Sequence, residues 1–97
     1  MHPAVLRSIG AVVEAGHAAG IPVAVCGEMA GDPFGAVVLV GLGVDELSMD
    51  PRAFGAAKRT LAGLTLVEAQ RVAHEALDAP DAAAARRLVA AALGPEA

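Results

Sequence analysis

The sequence contains no tryptophan and no tyrosine, and its only aromatic residues are two phenylalanines. Proteins that bind single-stranded nucleic acids use aromatic side chains inside a basic groove. The formal net charge of -4 at pH 7 offers no excess of positive charge for contacts with phosphates. The composition therefore argues against nucleic acid as a partner.

Cysteine is also scarce, since it occurs once, as Cys26, and an internal disulfide is excluded. The sequence has no apolar run long enough to span a bilayer. It also lacks the basic segment, short apolar segment and cleavage site that make up a signal peptide. These absences predict a cytoplasmic protein with no membrane partner.

The apolar fraction is high, at 56%, but much of it is alanine. Alanine contributes little buried area per residue, so the composition favours a helix-rich domain over a thick core. The sequence shows no internal repeat and no linker. We therefore expect residues 1–97 to form one domain.

The apolar and turn-forming segments predict an alternation of helices and strands. Pro3 suits the first turn of a helix that ends at Gly20. Residues 21–25 are short and apolar on both faces, which predicts a buried parallel strand, and residues 44–48 predict the next one. A helix over residues 34–40 lies between them, so the two strands should be parallel and joined by a helical crossover.

Capping residues mark the remaining helices. Side chains of aspartate and threonine can accept hydrogen bonds from the free amides of a first turn, and glycine commonly ends a helix. After residue 49 this pattern predicts three helices in succession. The predicted starts are Asp32-Pro33, Asp50-Pro51, the capping box of Thr65 with Glu68, and Asp81; the predicted stops include Gly63 and Gly94-Pro95.

Cys26 directly follows the first predicted strand and precedes a turn. Side chains at the carboxyl ends of parallel strands face the crevice where α/β folds bind ligands. A free cysteine is also often a small buried hydrophobe. Its position alone leaves both interpretations open.

The residues after Cys26 have two interpretations each. Gly27 permits the backbone to approach a ligand closely, or it simply allows a tight turn. Glu28 can shape a pocket or remain solvated. Asp32 is better explained as a helix cap than as a catalytic group.

Asp45 and Glu46 are expected near the end of the second strand where ligands bind, and could hold loops or basic residues supplied from elsewhere. Adjacent strand residues point to opposite faces, so the two cannot form a catalytic carboxylate pair. The histidines His2, His17 and His74 lack the spacing of metal ligands. We expect no metal site.

Two segments carry a specific resemblance. VCGEMAGDP at 25–33 and LVGLGVDELSM at 39–49 strongly resemble the C-terminal end of phosphoenolpyruvate-protein phosphotransferase, Enzyme I of the bacterial sugar phosphotransferase system. The resemblance begins near residue 2 and continues to residues 64–69. Pyruvate phosphate dikinase and phosphoenolpyruvate synthase are similar around Cys26 and Gly27, whereas DELSM at 45–49 resembles Enzyme I more.

The resemblance implies a fold and a role for the cysteine. The fold would be α/β, the C-terminal fragment of a (β/α)8 barrel of TIM type, with two parallel strands and a helix-rich remainder. A complete barrel needs about 250 residues, so this chain would be a partial domain. Cys26 would be the proton donor to the pyruvate enolate. Gly27 is the candidate substrate-binding residue beside it, on the ground already given that its backbone can approach a ligand closely.

The resemblance also implies what lies outside the chain. The family's Mg²⁺, its arginines and its phosphohistidine come from other parts of the enzyme, so this chain would bind no cofactor and be inactive alone. The implied partners are phosphoenolpyruvate and pyruvate, the phosphocarrier protein HPr through a separate N-terminal domain, and a second copy in a homo-oligomer. An interaction module and a truncated remnant without catalysis are the alternatives.

One departure from the family concerns the residues after the second predicted strand. The family has a longer connection there, whereas Met49 is followed at once by Asp50-Pro51. We therefore expect a rebuilt loop on that rim.

Overall fold

The computed structural model describes residues 1–94, which form six helices and two short strands. The order confirms the predicted alternation followed by a helical C-terminal part. The elements are α1 (Pro3–Ala18), β1 (Ala24–Cys26), α2 (Glu28–Gly31), α3 (Pro33–Gly41), β2 (Glu46–Ser48), α4 (Pro51–Ala62), α5 (Leu66–Leu77) and α6 (Ala82–Leu93).

The two strands are parallel, as predicted, and pair over three positions. Ala24 lies opposite Glu46, and Cys26 lies opposite Ser48. Helices α2 and α3 make the crossover between the strands. Within residues 1–94 the sheet has only these two strands, so membership of a barrel stays a prediction.

Strand β1 starts later than predicted and includes Cys26 as its last residue. Pro22 has no amide hydrogen and cannot donate to a ladder. The contacts with the second strand begin at Val23, whose carbonyl oxygen accepts hydrogen bonds from the amides of Asp45 at 2.9 Å and Glu46 at 3.3 Å. Regular pairing therefore starts only at Ala24.

The prediction that the first strand is buried on both faces is wrong for this chain. Ala24 and Cys26 are exposed, and Val25 is half-buried. Glu46 and Ser48 of β2 are exposed on the same side. Within residues 1–94 only one face of the strand pair packs on other elements.

Helix α2 was not predicted. It is a single turn, closed by hydrogen bonds from the Asp32 amide to the carbonyl oxygens of Glu28 at 3.0 Å and Met29 at 3.3 Å. One turn carries no hydrophobic period, so the sequence pattern had nothing to indicate it. It shortens the turn between Cys26 and α3.

The predicted caps are confirmed. The carboxylates of Asp32, Asp50 and Asp81 each accept a hydrogen bond from an amide in the first turn of the following helix. Thr65 and Glu68 form the predicted capping box. The stop at Gly94 is confirmed, and Pro95 lies outside the described residues.

The main core lies between α3, α5 and α6, with one side chain from α1. Helix α3 packs closely on α5 because Gly41 has no side chain, and a Cβ there would lie 2.1 Å from the carbonyl oxygen of Ala69. The members of this helical core are Leu6, Val37, Val38, Ala69, Val72, Ala73, Ala76, Ala85 and Val89.

A second, smaller cluster lies under the strand pair. Its buried members are Val13, Ala30, Leu39 and Val44, and Val25 and Leu47 pack against it while half-buried. None of the helices within residues 1–94 is long and apolar enough to cross a membrane.

Candidate functional site

A cleft of about 630 Å³ lies at the carboxyl ends of both strands. Its walls come from the ends of β1 and β2, from α2 with the residue after it, and from the start of α4. The lining residues are Cys26, Gly27, Glu28, Gly31, Asp32, Ser48, Met49, Asp50 and Ala53.

Cys26 lies at the carboxyl end of its strand, where the sequence places it. The thiol is exposed, so the alternative of a buried packing residue does not hold in this chain. Because Cys26 pairs in register with Ser48, two side chains able to take part in proton transfer or hydrogen bonding lie at the same end of the sheet. This arrangement offers a ligand an accessible thiol.

Gly27 has φ 109° and ψ -165°, a backbone conformation that residues with a side chain rarely adopt. No heavy atom lies within 4 Å of the position a Cβ would take, so open space adjoins the turn. This backbone conformation of the turn is enough to explain why position 27 is a glycine. Contact with a substrate remains a prediction.

Glu28 is the first residue of α2 and is exposed on the rim of the cleft. A carboxylate in a first helical turn is favoured by the partial positive charge of the free amides. Gly31, the last residue of α2, lies in close contact with two of its neighbours. A Cβ at this position would lie 3.3 Å from the side chains of Ala53 and Met49. The wall formed by α2 therefore lies directly against the start of α4.

Asp32 acts as the predicted cap and also makes an ion pair that the sequence did not indicate. Its Oδ1 accepts a hydrogen bond from the Phe34 amide at 3.2 Å. Its two oxygens accept hydrogen bonds from the two terminal nitrogens of Arg86, at 2.5 and 3.4 Å. These partners are 54 residues apart, and no spacing rule relates them.

Asp50 forms the rim after β2, where α4 starts at once with Pro51. Its carboxylate accepts hydrogen bonds from the amide and the guanidinium of Arg52, at 2.8 to 3.1 Å. These bonds, chiefly those from the guanidinium, lower the pKa of Asp50. The loop between β2 and α4 is short, and its difference from the family stays a prediction.

The expectation that Asp45 and Glu46 lie near the ligand-binding end is wrong. They lie at the amino end of β2, because the strand begins at Glu46 and runs to Ser48. Asp45 instead accepts hydrogen bonds from the Val23 amide at 2.8 Å and from His17 at 2.7 Å. These two bonds, chiefly the one from Val23, lower the pKa of Asp45.

Asp45 therefore joins the end of α1 to the start of the sheet. His17 is in the last turn of α1, and the remaining histidines are also at helix ends: His2 caps α1, and His74 is in the last turn of α5. The pairing of His17 with Asp45 had no sequence signal, since 28 residues separate them.

The donor set of the described residues does not fit Mg²⁺. Residues 1–94 contain no group of three or more histidine, cysteine, aspartate or glutamate side chains able to hold a metal ion. Of the carboxylates in the cleft, Asp32 and Asp50 are each paired with an arginine. Glu28 is the remaining carboxylate of the cleft lining, so these residues do not supply the carboxylate pair that the resemblance implies for Mg²⁺.

Comparison with known sequences gives the relatives of this chain. Residues 1–66 match the family model described as PEP-utilising enzyme, PEP-binding domain. A multiphosphoryl transfer protein of Xanthomonas campestris pv. campestris is 46% identical over 90 residues, which are 93% of this chain and 11% of that protein. A protein named phosphoenolpyruvate-dependent phosphotransferase system, from Escherichia coli K12, is 40% identical over 91 residues, 94% of this chain and 12% of that protein.

A third relative has the name of the enzyme that the sequence resembles. A phosphoenolpyruvate-protein phosphotransferase of Borreliella burgdorferi is 44% identical over 77 residues, which are 79% of this chain and 13% of that protein. The chain thus spans between 11% and 13% of the length of these three relatives.

Proposed function

Because the chain belongs to the PEP-utilising enzyme family and matches its PEP-binding domain, we propose that it is the C-terminal part of that domain in a phosphoenolpyruvate-protein phosphotransferase. Cys26 is the general acid of the reaction in this proposal. The observation that carries it is the exposed thiol at the carboxyl end of a parallel strand pair, inside a cleft and within the matched residues.

The proposed step is the protonation of a carbon atom. When the bond between phosphorus and the enol oxygen breaks, the phosphoryl group passes to a histidine outside this chain and the electron pair stays on the enolate of pyruvate. The S–H bond of Cys26 then breaks as a C–H bond forms at the methylene carbon. The thiolate left behind takes a proton from solvent. A positioned acid of this kind contributes about 10²-fold or more to a rate.

The strand pair leaves both of its outer edges unpaired within residues 1–94, and an apolar groove lies beside each. One, of about 390 Å³, is lined by Ala4, Val5, Ser8, Ile9, Val12, Val23, Ala24 and Val25. The other, of about 560 Å³, is lined by Val40, Val44, Asp45, Leu47, Met49, Phe54, Ala57, Lys58, Leu61 and Ala62.

We assign both grooves to neighbouring elements of one (β/α)8 barrel, supplied by the remainder of a longer protein. Edge strands and exposed apolar surface favour association with further strands and helices. Val12 is 59% exposed in one groove and Phe54 is 57% exposed in the other. Relatives several times longer than this chain have the residues to fill both.

The same remainder supplies the groups that hold the phosphoryl donor. Phosphoryl transfer needs preorganised positive charge around the transferring group. No arginine lines the cleft, and the two arginines next to it, Arg52 and Arg86, are paired with its aspartates. Since the described residues do not fit Mg²⁺, its ligands also belong to other parts. The chain alone therefore releases no pyruvate. The complete protein is cytoplasmic and passes its phosphoryl group to HPr.

A chimera tests the proposal. The 91 residues of this chain that align with the E. coli relative replace the corresponding segment of that protein, and pyruvate release from phosphoenolpyruvate is measured. We expect Cys26→Ala to lower the rate by about 10²-fold or more. Arg87→Ala is the control, because Arg87 is exposed on α6 and does not line the cleft, so this variant should retain the rate. A Cys26→Ala chimera as fast as its parent would contradict the proposal.

Self-association is the second candidate function, favoured by the same uncovered grooves. In the absence of the remaining barrel, a second copy is the alternative occupant. Sedimentation velocity of the 97-residue chain over a range of concentrations separates the possibilities. A shift to a larger species with concentration supports pairing, and a monomer at all concentrations contradicts it. An inactive chimera combined with a monomeric chain would indicate a remnant without function.

A further inference from the structure

Arg86 lies outside residues 1–66, which match the family model, yet it binds Asp32, a residue that lines the cleft. It lies on α6, and its guanidinium binds both carboxylate oxygens of Asp32. The same guanidinium lies over the ring of Phe34, with its central carbon 4.7 Å from the ring centre. A planar guanidinium makes such a paired and stacked contact, and an ammonium group cannot reproduce it.

Asp32 occupies the junction between α2 and α3. Its amide closes α2 and its carboxylate caps α3. On the far side of this junction, Gly35 packs so closely that a Cβ would lie 2.3 Å from the carbonyl oxygen of Met29. The junction is therefore held by α3 on one side and by Arg86 on the other.

We propose that Arg86 is a positioning residue for Cys26, acting through Asp32 to fix the turn and the α2 wall of the cleft. The inference rests on the proposed function. Residues 26–32 run from the thiol to the anchored carboxylate with only Gly27 and one helical turn between. A fixed junction at Asp32 therefore limits where the backbone beside the thiol can lie.

Kinetics of the chimera give the first test. Proton delivery depends on placement of the thiol, so we expect Arg86→Ala to lower kcat about tenfold while KM for phosphoenolpyruvate changes by less than about twofold, because the substrate is held by residues outside this chain. Arg86→Lys should restore little of kcat, since it lacks the planar fork. The matched control is Arg87→Ala on the same helix, whose arginine has no ion-pair partner within residues 1–94. It should leave both constants unchanged.

Hydrogen exchange of the 97-residue chain gives a test that does not need activity. Arg86→Ala should speed amide exchange in residues 27–32 about fivefold, and Arg87→Ala should not. Equal exchange and equal kcat for the two variants would overturn the inference. If the Cys26→Ala chimera keeps its rate, the proposed function fails instead, and faster exchange in Arg86→Ala would still establish the anchor.

Discussion

The helical core and the strand pair differ in how completely their residues are buried. In the helical core, α3, α5 and α6 bury four valines around Leu6 of α1, and the backbones of α3 and α5 touch at Gly41. The strand pair consists of two strands of three residues, exposed on one face and unpaired at both edges. Stability resides in the first region and the candidate chemistry in the second.

This division has a physical consequence for the site. A strand at the edge of a sheet carries unpaired backbone groups that favour a further strand. A surface that is incomplete in this chain becomes the interior of a larger domain once neighbours cover it. In the proposed barrel, the thiol of Cys26 would take its remaining surroundings from residues outside the chain, whereas the proposed anchor at Asp32 is held within the chain by Arg86 of α6.

The largest effect is expected at the closest contact of the helical core. Gly41→Ala places a Cβ 2.1 Å from the Ala69 carbonyl oxygen, so α3 and α5 must separate. We expect a loss of about 3 kcal/mol in the free energy of unfolding, measured by urea denaturation. Gly10→Ala is the control, because its nearest neighbour would be at an ordinary 3.8 Å and alanine favours a helix. A destabilising Gly10→Ala, or a neutral Gly41→Ala, would contradict this description.

Replacing a leucine by alanine in each region compares how much side-chain packing contributes to stability in the helical core and in the strand pair. Leu6 is fully buried in the helical core, and Leu6→Ala should lower the free energy of unfolding by about 3 kcal/mol. Leu47 of β2 is half-buried, and Leu47→Ala should lower it by about 1 kcal/mol. Equal losses would show that the strand pair is as well packed as the helices.

Acid should loosen the attachment of the strand pair. The pKa of Asp45 is lowered by the Val23 amide and by His17, so the folded chain gains stability from this carboxylate above the unfolded pKa of about 3.9. That stability is lost as pH falls through the lower folded value. Asp45→Asn should therefore flatten the pH dependence of the unfolding midpoint below about pH 4.

The comparison for that experiment is Asp78→Asn, at the end of α5, whose carboxylate has no ion-pair partner within residues 1–94. It should leave the slope of the pH dependence nearly as in the parent. A slope unchanged by Asp45→Asn would mean that the bonds to Val23 and His17 contribute nothing in solution.

The smallest effect is expected on the uncovered face of α1. Val12 is 59% exposed, so Val12→Ala should change the free energy of unfolding of the chain by less than about 0.5 kcal/mol. In the active chimera the same substitution should cost about 1 kcal/mol, because the groove is then covered. Equal small effects in both proteins, measured by urea denaturation, would contradict the assignment of this groove to the remaining barrel.

Local features of the fold could be predicted from the sequence because neighbouring residues determine them. The caps at Asp32, Asp50, Thr65 and Asp81 were correct, since each side chain binds an amide two or three residues away. The position of Cys26 at a strand end followed from the change of an apolar run into turn-forming residues. The resemblance to the PEP-utilising family depended on a contiguous segment and was confirmed by residues 1–66.

The tertiary structure decided what depends on residues distant in sequence. The bond between Arg86 and Asp32 spans 54 residues and the one between His17 and Asp45 spans 28, and neither spacing has a local signal. Gly41 of α3 has a packing role that the sequence did not indicate, because its missing Cβ would lie 2.1 Å from the carbonyl oxygen of Ala69. The exposed face of β1 was mispredicted because an apolar strand indicates burial without specifying which chain segment provides it.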